Sequence, residues 1–486
     1  MKTEQKNKGS VTGGLFWSFL ERIASQLVST IVGIILARLL SPDEYGIIAI
    51  VMIFITLSDV FVTSGFGTAL VQKKEIHRKD YDTAFWFSFA ISVVLYLILF
   101  VSAPYIAYFY EIELLTPVIR VFAIRLLFAS LNTVQVAKVQ REMAFRKYFI
   151  STFIGTAASC VIGVIMALAG CGVWALVAQY LSNTIIASVV FSFYCGWNPR
   201  PQFSFDSAKS IWRFGSKVLG ANLISTGVVE IQSFFIGKVF GAADLAYIDQ
   251  GKKYPSLLVT NINSSVSKVM LPAFSENQDD HEKIKADLRK TIRVSNYVLS
   301  PLLLGFCAVA PIFVDVVLTD KWADCVPYIQ IFCIMFLTRP LTMLCHQALL
   351  AIDKGSLAMA IMAVINAVAL VGIAIAVFAV QSVILVPITL LIADFVSLGC
   401  FMVSMKKTIS YDFKEQLADI LPAIIISLVM YAAVALLGLL NINHLLLLAL
   451  QVFLGIGVYM TLSALFGLSA FTFIVDFVKV KLLKRG

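Results

Sequence analysis

Charged residues are scarce in this sequence: they make up 14% of its 486 residues, whereas a soluble domain carries roughly a quarter. The sequence also lacks a GxxxxGK[ST] motif, so it provides no P-loop for ATP hydrolysis. It contains no HExxH motif, no GxSxG motif and no CxxC pair. The composition therefore excludes an ordinary soluble protein, and the missing motifs argue against an ATPase or a hydrolytic enzyme with a catalytic or metal site.

Apolar runs of 18 residues or more recur along the whole chain, and each is long enough to cross a hydrocarbon core of ~30 Å. The eight cysteines are scattered, mostly within these runs, which is more typical of small core residues than of disulfides or metal ligands. The sequence therefore predicts an all-α polytopic membrane protein with about 14 transmembrane helices, at 14–40, 46–71, 83–103, 115–137, 148–169, 173–195, 211–240, 245–270, 294–318, 326–350, 356–379, 382–404, 415–439 and 444–475.

The basic residues are distributed unevenly between the two sides of these predicted spans. Of the 38 Lys and Arg residues, 28 fall in loops on one side and three in loops on the other. By the positive-inside rule, this bias places both termini in the cytoplasm, which requires an even number of spans. The net charge of +9 is thus explained by cytoplasmic loops, and we expect no nucleic-acid partner. The opposite loops are too short to hold an enzymatic domain.

The first six spans and the next six show a weak internal repeat. The segment that begins at Arg38 after span 1 is similar to the one that begins at Lys238 after span 7, and Phe122 in span 4 matches Phe332 in span 10 at an offset of 210 residues. Six spans per repeat predict two six-helix lobes with the same orientation, related by a pseudo-two-fold axis along the membrane normal, plus two extra C-terminal helices. The expected boundaries are 1–196 for the N-terminal lobe, 197–210 for a cytoplasmic linker, 211–405 for the C-terminal lobe, and 406–486 for helices 13–14 and a basic tail.

Ionisable residues within the spans are the strongest indication of a functional site. Each costs ~2.5–3.5 kcal/mol on insertion scales, so such residues normally face a polar interior. Spans 1 and 7 each keep a polar stripe, which includes Glu21 and Glu230, respectively. Arg125 and Arg339 lie near the middle of spans 4 and 10 and predict a cationic cleft for a phosphate-bearing anion, because guanidinium groups bind phosphate oxygens bidentately. The predicted substrate-binding residues are Arg22, Arg125, Lys217, Lys252, Lys253 and Arg339.

Charge pairing is the structural alternative for these residues. Arg22 can pair with Glu21 or Asp59, and Arg339 can pair with Asp394. The acidic residues are accordingly candidates either for ion coupling or for charge pairing, and the sequence leaves both roles open for Glu21, Asp59, Glu230 and Asp394. We expect no cofactor, with H⁺ or Na⁺ as the candidate coupling ions, no bound metal and no catalytic residue.

Five segments, in this order along the chain, carry a resemblance to a known family: 35–46, 59–72, 140–146, 197–199 and 270–275. They resemble the polysaccharide (Wzx-type) flippases of the multidrug/oligosaccharidyl-lipid/polysaccharide exporter superfamily, and most nearly its colanic acid and teichuronic acid exporters. The resemblance implies two six-helix lobes around a cationic central cavity. It also implies alternating access that moves undecaprenyl-diphosphate-linked oligosaccharide repeat units to the outer leaflet of the bacterial plasma (inner) membrane.

The resemblance also suggests binding partners and an alternative function. The lipid-linked oligosaccharide and membrane lipids are the expected partners, and a polysaccharide polymerase and assembly proteins are candidate protein partners. A multidrug or other lipid exporter of the same superfamily is the alternative function. Such a drug exporter usually uses acidic sites for cationic drugs, whereas Lys and Arg outnumber Asp and Glu among the residues within these spans. The expected class is therefore a secondary transporter rather than an enzyme.

Overall fold

The computed structural model describes residues 24–63, 65–73, 75–142, 144–440, 442–473 and 475–476. This part of the chain is almost entirely helical and contains no β-strand. Twelve of its helical segments are long and apolar enough to cross a membrane. The predicted all-α polytopic membrane fold is confirmed.

The chain divides after Ala246 into two compact units. In the first unit, a short apolar helix is followed by long helices and by two spans that are each built from two consecutive helices. The described helices are α1 (Ala24–Leu39), α2 (Pro42–Thr63), α3 (Phe66–Gln72), α4 (Arg78–Tyr110), α5 (Leu115–Phe122), α6 (Arg125–Glu142), α7 (Phe145–Leu168), α8 (Val173–Cys195) and α9 (Phe205–Val239).

The next helix, α10, begins at the end of the first unit and continues into the second. Short π-helical segments extend α11 and α14, and a 3₁₀ turn precedes α12. The helices are α10 (Ala242–Glu276), α11 (His281–Phe313), α12 (Val326–Phe336), α13 (Arg339–Ala351), α14 (Gly355–Ala374), α15 (Leu385–Ile409), α16 (Phe413–Leu437) and α17 (His444–Leu465).

Each predicted span corresponds to one of these helices or to two consecutive ones. The predicted span 14–40 is described only from Ala24 onwards, as α1. The predicted span 245–270 corresponds to α10, which is long enough to cross a membrane but is not among the twelve apolar segments because its sequence is too polar. The expected number of about 14 helices is consistent with this arrangement.

Helix α9 packs within the first unit, against α2, α3 and α4. Its Ile211 joins a buried cluster with Phe66 and Phe85, and the Trp212 ring stacks on Phe66 with centroids 6.3 Å apart. The predicted C-terminal lobe, 211–405, was drawn from the internal repeat and includes this helix. The repeat and the packed units are therefore two different divisions of the chain.

The segment between α8 and α9 is held against α4. Trp197 is buried, and the Trp86 Nε1 group donates a hydrogen bond to the carbonyl of Arg200 at 2.7 Å. At the start of α9, the Ser207 hydroxyl donates to the buried Asp80 carboxylate, also at 2.7 Å. The predicted linker 197–210 is thus an ordered connection that fixes the start of α9.

A network of charges attaches α16 to α11 in the second unit. The Asp419 carboxylate, whose side chain is only 1% exposed, accepts hydrogen bonds from Arg289 Nε at 2.7 Å and Arg293 Nε at 2.5 Å. The hydroxyl of Tyr411 also donates to Asp419, and Glu415 pairs with Arg289. Helix α17 packs in turn on both α11 and α16. The two extra C-terminal helices are therefore an integral part of the second unit.

We predict that one backbone contact sets the position of α9. A Cβ atom on Gly215 would lie 2.9 Å from the carbonyl oxygen of Gly65, whereas Gly220 on the same helix has open space within 4 Å. Gly215→Ala should lower the thermal unfolding midpoint of the purified protein in detergent, because neither backbone can yield easily. Gly220→Ala is the matched control and should leave the midpoint unchanged or raise it, since alanine favours a helix over glycine by ~1 kcal/mol. Equal midpoints for the two variants would contradict the prediction.

Candidate functional site

Two membrane-spanning segments are each interrupted immediately before an arginine. Helix α5 ends at Phe122 and α6 begins at Arg125, while α12 ends at Phe336 and α13 begins at Arg339. Each arginine therefore stands at the start of a half-helix inside a span, three residues after a phenylalanine.

The backbone forms a tighter, 3₁₀-type turn at both interruptions. Ile124 N donates to the carbonyl of Val121 at 3.2 Å, and Thr338 N donates to that of Met335 at 3.4 Å, so both amides bond to the third residue before them rather than the fourth. Pro340 follows the second interruption and has no amide hydrogen to continue the α-helical pattern. Irregular backbone at membrane depth is tolerated where it is buried in protein or lines a water-filled space. Each interruption is consequently a favourable place for a polar site within its own unit.

In the first unit, Arg125 pairs with a carboxylate from α2. Its Nη2 atom lies 3.0 Å from Asp59 Oδ2, and the two side chains are 20% and 23% exposed. The guanidinium carbon lies 5.6 Å from the centroid of the Phe122 ring, within the range of a cation–π contact. Arg125 Nε and Asp59 Oδ1 are buried and have no hydrogen-bond partner among the described residues. The pair thus keeps unused hydrogen-bonding capacity on both partners.

In the second unit, Arg339 has a closely similar environment. Its Nη2 atom lies 3.2 Å from Asp394 Oδ2 on α15, and its guanidinium carbon lies 5.6 Å from the Phe336 ring centroid. The Arg339 side chain is 45% exposed, against 15% for Asp394. The charge pairing that the sequence offered as an alternative for Arg339 and Asp394 is therefore present, and the arginine still exposes part of its surface.

The two centres share a Phe-x-x-Arg unit. Phe122 and Arg125 recur as Phe336 and Arg339, an offset of 214 residues. The 210-residue offset of the sequence repeat pairs Phe122 with Phe332, which is about one helical turn away from this structural match. Apolar helical segments resemble one another at every turn, so sequence similarity alone did not distinguish the two alignments. The acidic partners do not follow the repeat, because they come from α2 in one unit and α15 in the other.

The structure places the other predicted residues on α9 and α10. Lys217 is exposed and Glu230 is half-buried, both on α9. Lys252 and Lys253 are half-buried on α10, with Lys253 Nζ 5.7 Å from the Tyr254 ring centroid. Lys252 also acts electrostatically on Asp394, so it belongs to the same charged environment as Arg339. Glu21 and Arg22 lie outside the described residues.

Two kinds of candidate residue become apparent only in the structure. Phe122 was assigned only to the apolar repeat and Phe336 was given no role, although the recurring Phe-x-x-Arg spacing would have identified both as neighbours of the arginines. Lys209 and Arg213 were not among the predicted site residues, although both are exposed on the first turns of α9, on the same helix face as Lys217. Recognition of this face required knowledge that α9 begins as early as Phe205.

A mainly apolar groove of about 470 Å³ lies within the second unit, between α10, α11, α16 and α17. Aromatic and aliphatic side chains form most of its walls, and Gly305 and Gly455 keep part of it open. A cavity with this composition suits a hydrocarbon chain rather than a sugar. The lining includes Leu258, Pro301, Phe306, Met430, Ile456 and Tyr459.

No group of three or more His, Cys, Asp or Glu side chains in the described part of the chain could hold a metal ion. The polar groups at the interruptions are arginines paired with single carboxylates. This arrangement can bind anions and exchange ion-pair partners.

A profile of the family described as "Polysaccharide biosynthesis protein" matches residues 35–327, which include the first arginine centre and the start of α12. The chain belongs to this family. Curated relatives agree with the assignment. The chain is 24% identical to the teichuronic acid biosynthesis protein TuaB of Bacillus subtilis over 356 residues, which is 72% of each protein. It is 23% identical to the lipopolysaccharide biosynthesis protein WzxC of Escherichia coli over 332 residues, which is 67% of each.

Solved structures show the same fold. The lipid II flippase MurJ, in an inward closed conformation, aligns with a TM-score of 0.75 over 92% of this chain and 98% of that protein, at 14% identity. An inward-facing multidrug resistance transporter of the MATE family, from the MOP superfamily, aligns with a TM-score of 0.62 over 79% of this chain and 94% of its own, at 15% identity. The family member described here therefore has a transporter fold. The predicted family resemblance is confirmed, and the family and its fold agree with the predicted class of a transporter.

We predict that the Arg125–Asp59 pair contributes to the stability of this family member. Arg125→Gln or Asp59→Asn alone leaves one charge without its partner, so each variant should lower the thermal midpoint in detergent. The double variant should lose less than the sum, with a coupling of about 1–2 kcal/mol.

The exposed pair Lys406–Asp412 provides the matched control. Its atoms lie 3.3 Å apart, and its side chains are 51% and 63% exposed. The same cycle at this pair should give a coupling below about 0.5 kcal/mol. A coupling free energy at Arg125–Asp59 no larger than that of the control would show that the half-buried pair stabilises the protein no more than an exposed pair does.

Proposed function

We propose that this chain is a flippase that moves undecaprenyl-diphosphate-linked oligosaccharide repeat units from the cytoplasmic to the outer leaflet of the bacterial plasma membrane. The observation that carries the proposal is the duplicated arginine centre, with Arg125 and Arg339 each at an interruption within a span. Membership of a polysaccharide biosynthesis family provides the chemical context. We further propose alternating access, a cationic cavity and cytoplasmic termini, the last on the distribution of Lys and Arg.

The proposed substrate has a head group that cannot cross a bilayer unaided. Each sugar hydroxyl costs ~4–8 kcal/mol to transfer without hydrogen bonds into hydrocarbon, and an oligosaccharide has many. A diphosphate adds negative charge, for which bidentate guanidinium contacts are suited. We propose that the diphosphate can replace Asp59 as the partner of Arg125 in the first unit and, at another stage, Asp394 as the partner of Arg339 in the second. The unused Nε group of Arg125 supports this exchange, because it leaves a donor for a second phosphate oxygen.

The lipid part of the substrate requires a different environment. The apolar groove lined by Gly455 and Tyr459 has the composition expected for an isoprenoid chain, and it lies within a single unit. We therefore propose that the polyprenyl tail occupies this groove during transport. Membrane lipids fill it when no substrate is bound.

The energy source of transport is a separate proposal. The sequence has no P-loop, so the drive comes from an ion gradient, the membrane potential or removal of product. Asp59, Glu230 and Asp394 are the described candidates for H⁺ or Na⁺ coupling, and Glu21 is a further candidate outside the described residues. A polysaccharide polymerase and assembly proteins are the proposed protein partners on the product side.

Drug or other lipid export is the alternative, and the fold shared with a multidrug transporter favours it. Cationic drugs require acidic sites, whereas both centres here present an arginine. The experiment below separates the two functions, because only a polysaccharide flippase changes the pool of lipid-linked sugars.

We predict that the arginine centres are required for export. Deletion of the gene should cause one finished undecaprenyl-linked repeat unit to accumulate and its surface polymer to disappear. Wild-type protein should reverse both effects, whereas Arg125→Ala and Arg339→Ala should not, because each removes a phosphate-binding guanidinium. Mass spectrometry of lipid-linked glycans and surface polysaccharide measures both quantities, and immunoblotting of membranes checks that the variants are present.

Lys354→Ala is the control for this experiment. Lys354 is exposed in the turn before α14, fifteen residues after Arg339, so export should be normal. Normal export by both arginine variants would refute the cationic site. Unchanged lipid-linked pools and an intact surface after deletion, in a strain without a second flippase, would shift the assignment to drug or other lipid export.

We also predict that filling the apolar groove slows export. A Cβ atom on Gly455 would already lie 3.3 Å from Val434, whereas Gly457, two residues later on α17, has open space within 4 Å. Gly455→Leu should therefore reduce surface polymer several-fold, and Gly457→Leu should have little effect. The same mass-spectrometric assay measures both, with membrane abundance as the check on folding. Equal export by the two variants would show that the lipid tail does not use the groove during transport.

A further inference from the structure

Helix α9 presents a row of three cations at its start. Lys209, Arg213 and Lys217 follow one another at i, i+4 and i+8, so the row extends ~12 Å along the helix axis. All three side chains are exposed and line one open cavity of about 470 Å³, whose lining residues all belong to α9. Asp206 and Phe214 complete its walls together with Ser210. We call this surface the α9 basic face.

The α9 basic face is turned away from the packed side of the helix. Ile211, Gly215 and Leu219 are buried at the same four-residue spacing. They lie two residues from the cations in each case, which is a rotation of about 200° around an α-helix. The cations therefore point away from the helices of the first unit.

The three cations have no salt-bridge partner among the described residues. Two of them, Arg213 and Lys217, lie well inside a 35-residue helix that qualifies as a membrane span. Charged groups near hydrocarbon are normally paired or hydrated. Unpaired cations around a cavity are thus typical of a surface that receives an anion.

The helix that bears these cations is held rigidly. The Ser207 hydroxyl bonds to the buried Asp80, Trp212 stacks on Phe66, and Gly215 meets the backbone of Gly65. These contacts lie on the packed side of α9, opposite the basic face. A fixed row of charges binds a ligand without the cost of ordering its own backbone.

We infer that the α9 basic face is an intake site for the diphosphate of the lipid-linked substrate, where the head group binds before it reaches Arg125. The inference rests on the proposed function. The main observation is the formal charge of the α9 basic face. Its three cations and Asp206 give +2, which balances the −2 of a diphosphate diester. A phospholipid phosphodiester has only one negative charge and would leave the face half-neutralised. The distribution of basic loops also puts this end of α9 at the cytoplasmic leaflet, where the substrate is made available.

The test measures binding rather than transport. Full-length protein in phosphatidylcholine nanodiscs is titrated with undecaprenyl diphosphate, and the dissociation constant is measured at two salt concentrations. The triple variant Lys209→Gln/Arg213→Gln/Lys217→Gln should bind about tenfold more weakly, with a smaller dependence on salt, because each exposed ion pair contributes a modest amount. The charge-preserving variant Lys209→Arg/Arg213→Lys/Lys217→Arg should bind within about twofold of wild type, since exposed ion pairs depend mainly on charge.

Lys414→Gln is the matched control, since Lys414 is an exposed lysine in the first turn of α16. It should bind undecaprenyl diphosphate as wild type does. If the triple variant unfolds, as judged by its thermal midpoint, Arg213→Gln alone should still weaken binding about threefold.

The outcomes separate this site from the proposed function. Wild-type affinity in the triple variant would overturn the intake site and leave the function intact. Equal affinity of wild-type protein for undecaprenyl diphosphate and undecaprenol would refute the diphosphate-linked substrate itself, and with it the intake site. Displacement of undecaprenyl diphosphate by equimolar phosphatidylglycerol would overturn the proposal in favour of a phospholipid surface.

Discussion

An arginine inside a membrane-spanning helix costs ~2.5–3.5 kcal/mol on insertion scales. Each unit contains a contact that offsets this free energy. Asp59 reaches Arg125 within the first unit, and Asp394 reaches Arg339 within the second. Each guanidinium also lies beside a phenylalanine ring three residues earlier. Local neutralisation lets each unit fold with its arginine in place. It also leaves the arginine able to exchange one anionic partner for another.

The two centres repeat a local device and differ in their surroundings. An interrupted helix presents the arginine in both, but the carboxylate comes from α2 in one case and α15 in the other. Arg125 is 20% exposed and Arg339 is 45% exposed, so the second arginine has more surface available to a ligand. The two Phe-x-x-Arg units thus form two centres of the same chemistry with unequal exposure. Such a difference suits a substrate that must bind at one stage and leave at another.

The remaining surfaces match the two halves of the amphipathic substrate that we propose. The α9 basic face and the arginines provide positive charge for a polar head, while the groove around Gly455 provides an apolar channel for a tail. Both are built on firmly anchored helices: α9 by its contacts with α2, α3 and α4, and α16 by the carboxylate of Asp419, which two arginines share. The binding surfaces are therefore positioned before any ligand arrives.

The positions of the spans, their helical nature and the presence of charges within them followed from the sequence, because hydropathy is a local property that a bilayer constrains strongly. Arg125, Arg339, Asp59 and Asp394 were identified on the same ground. The pairing of Arg125 with Asp59, the 214-residue match of the two interruptions and the union of Lys209 and Arg213 with Lys217 became visible only in the tertiary structure. Apolar helices look alike at successive turns, and contacts between distant segments depend on packing. The sequence by itself therefore determined which charged residues lie within the membrane spans, whereas the tertiary structure decided which partner each of those residues has.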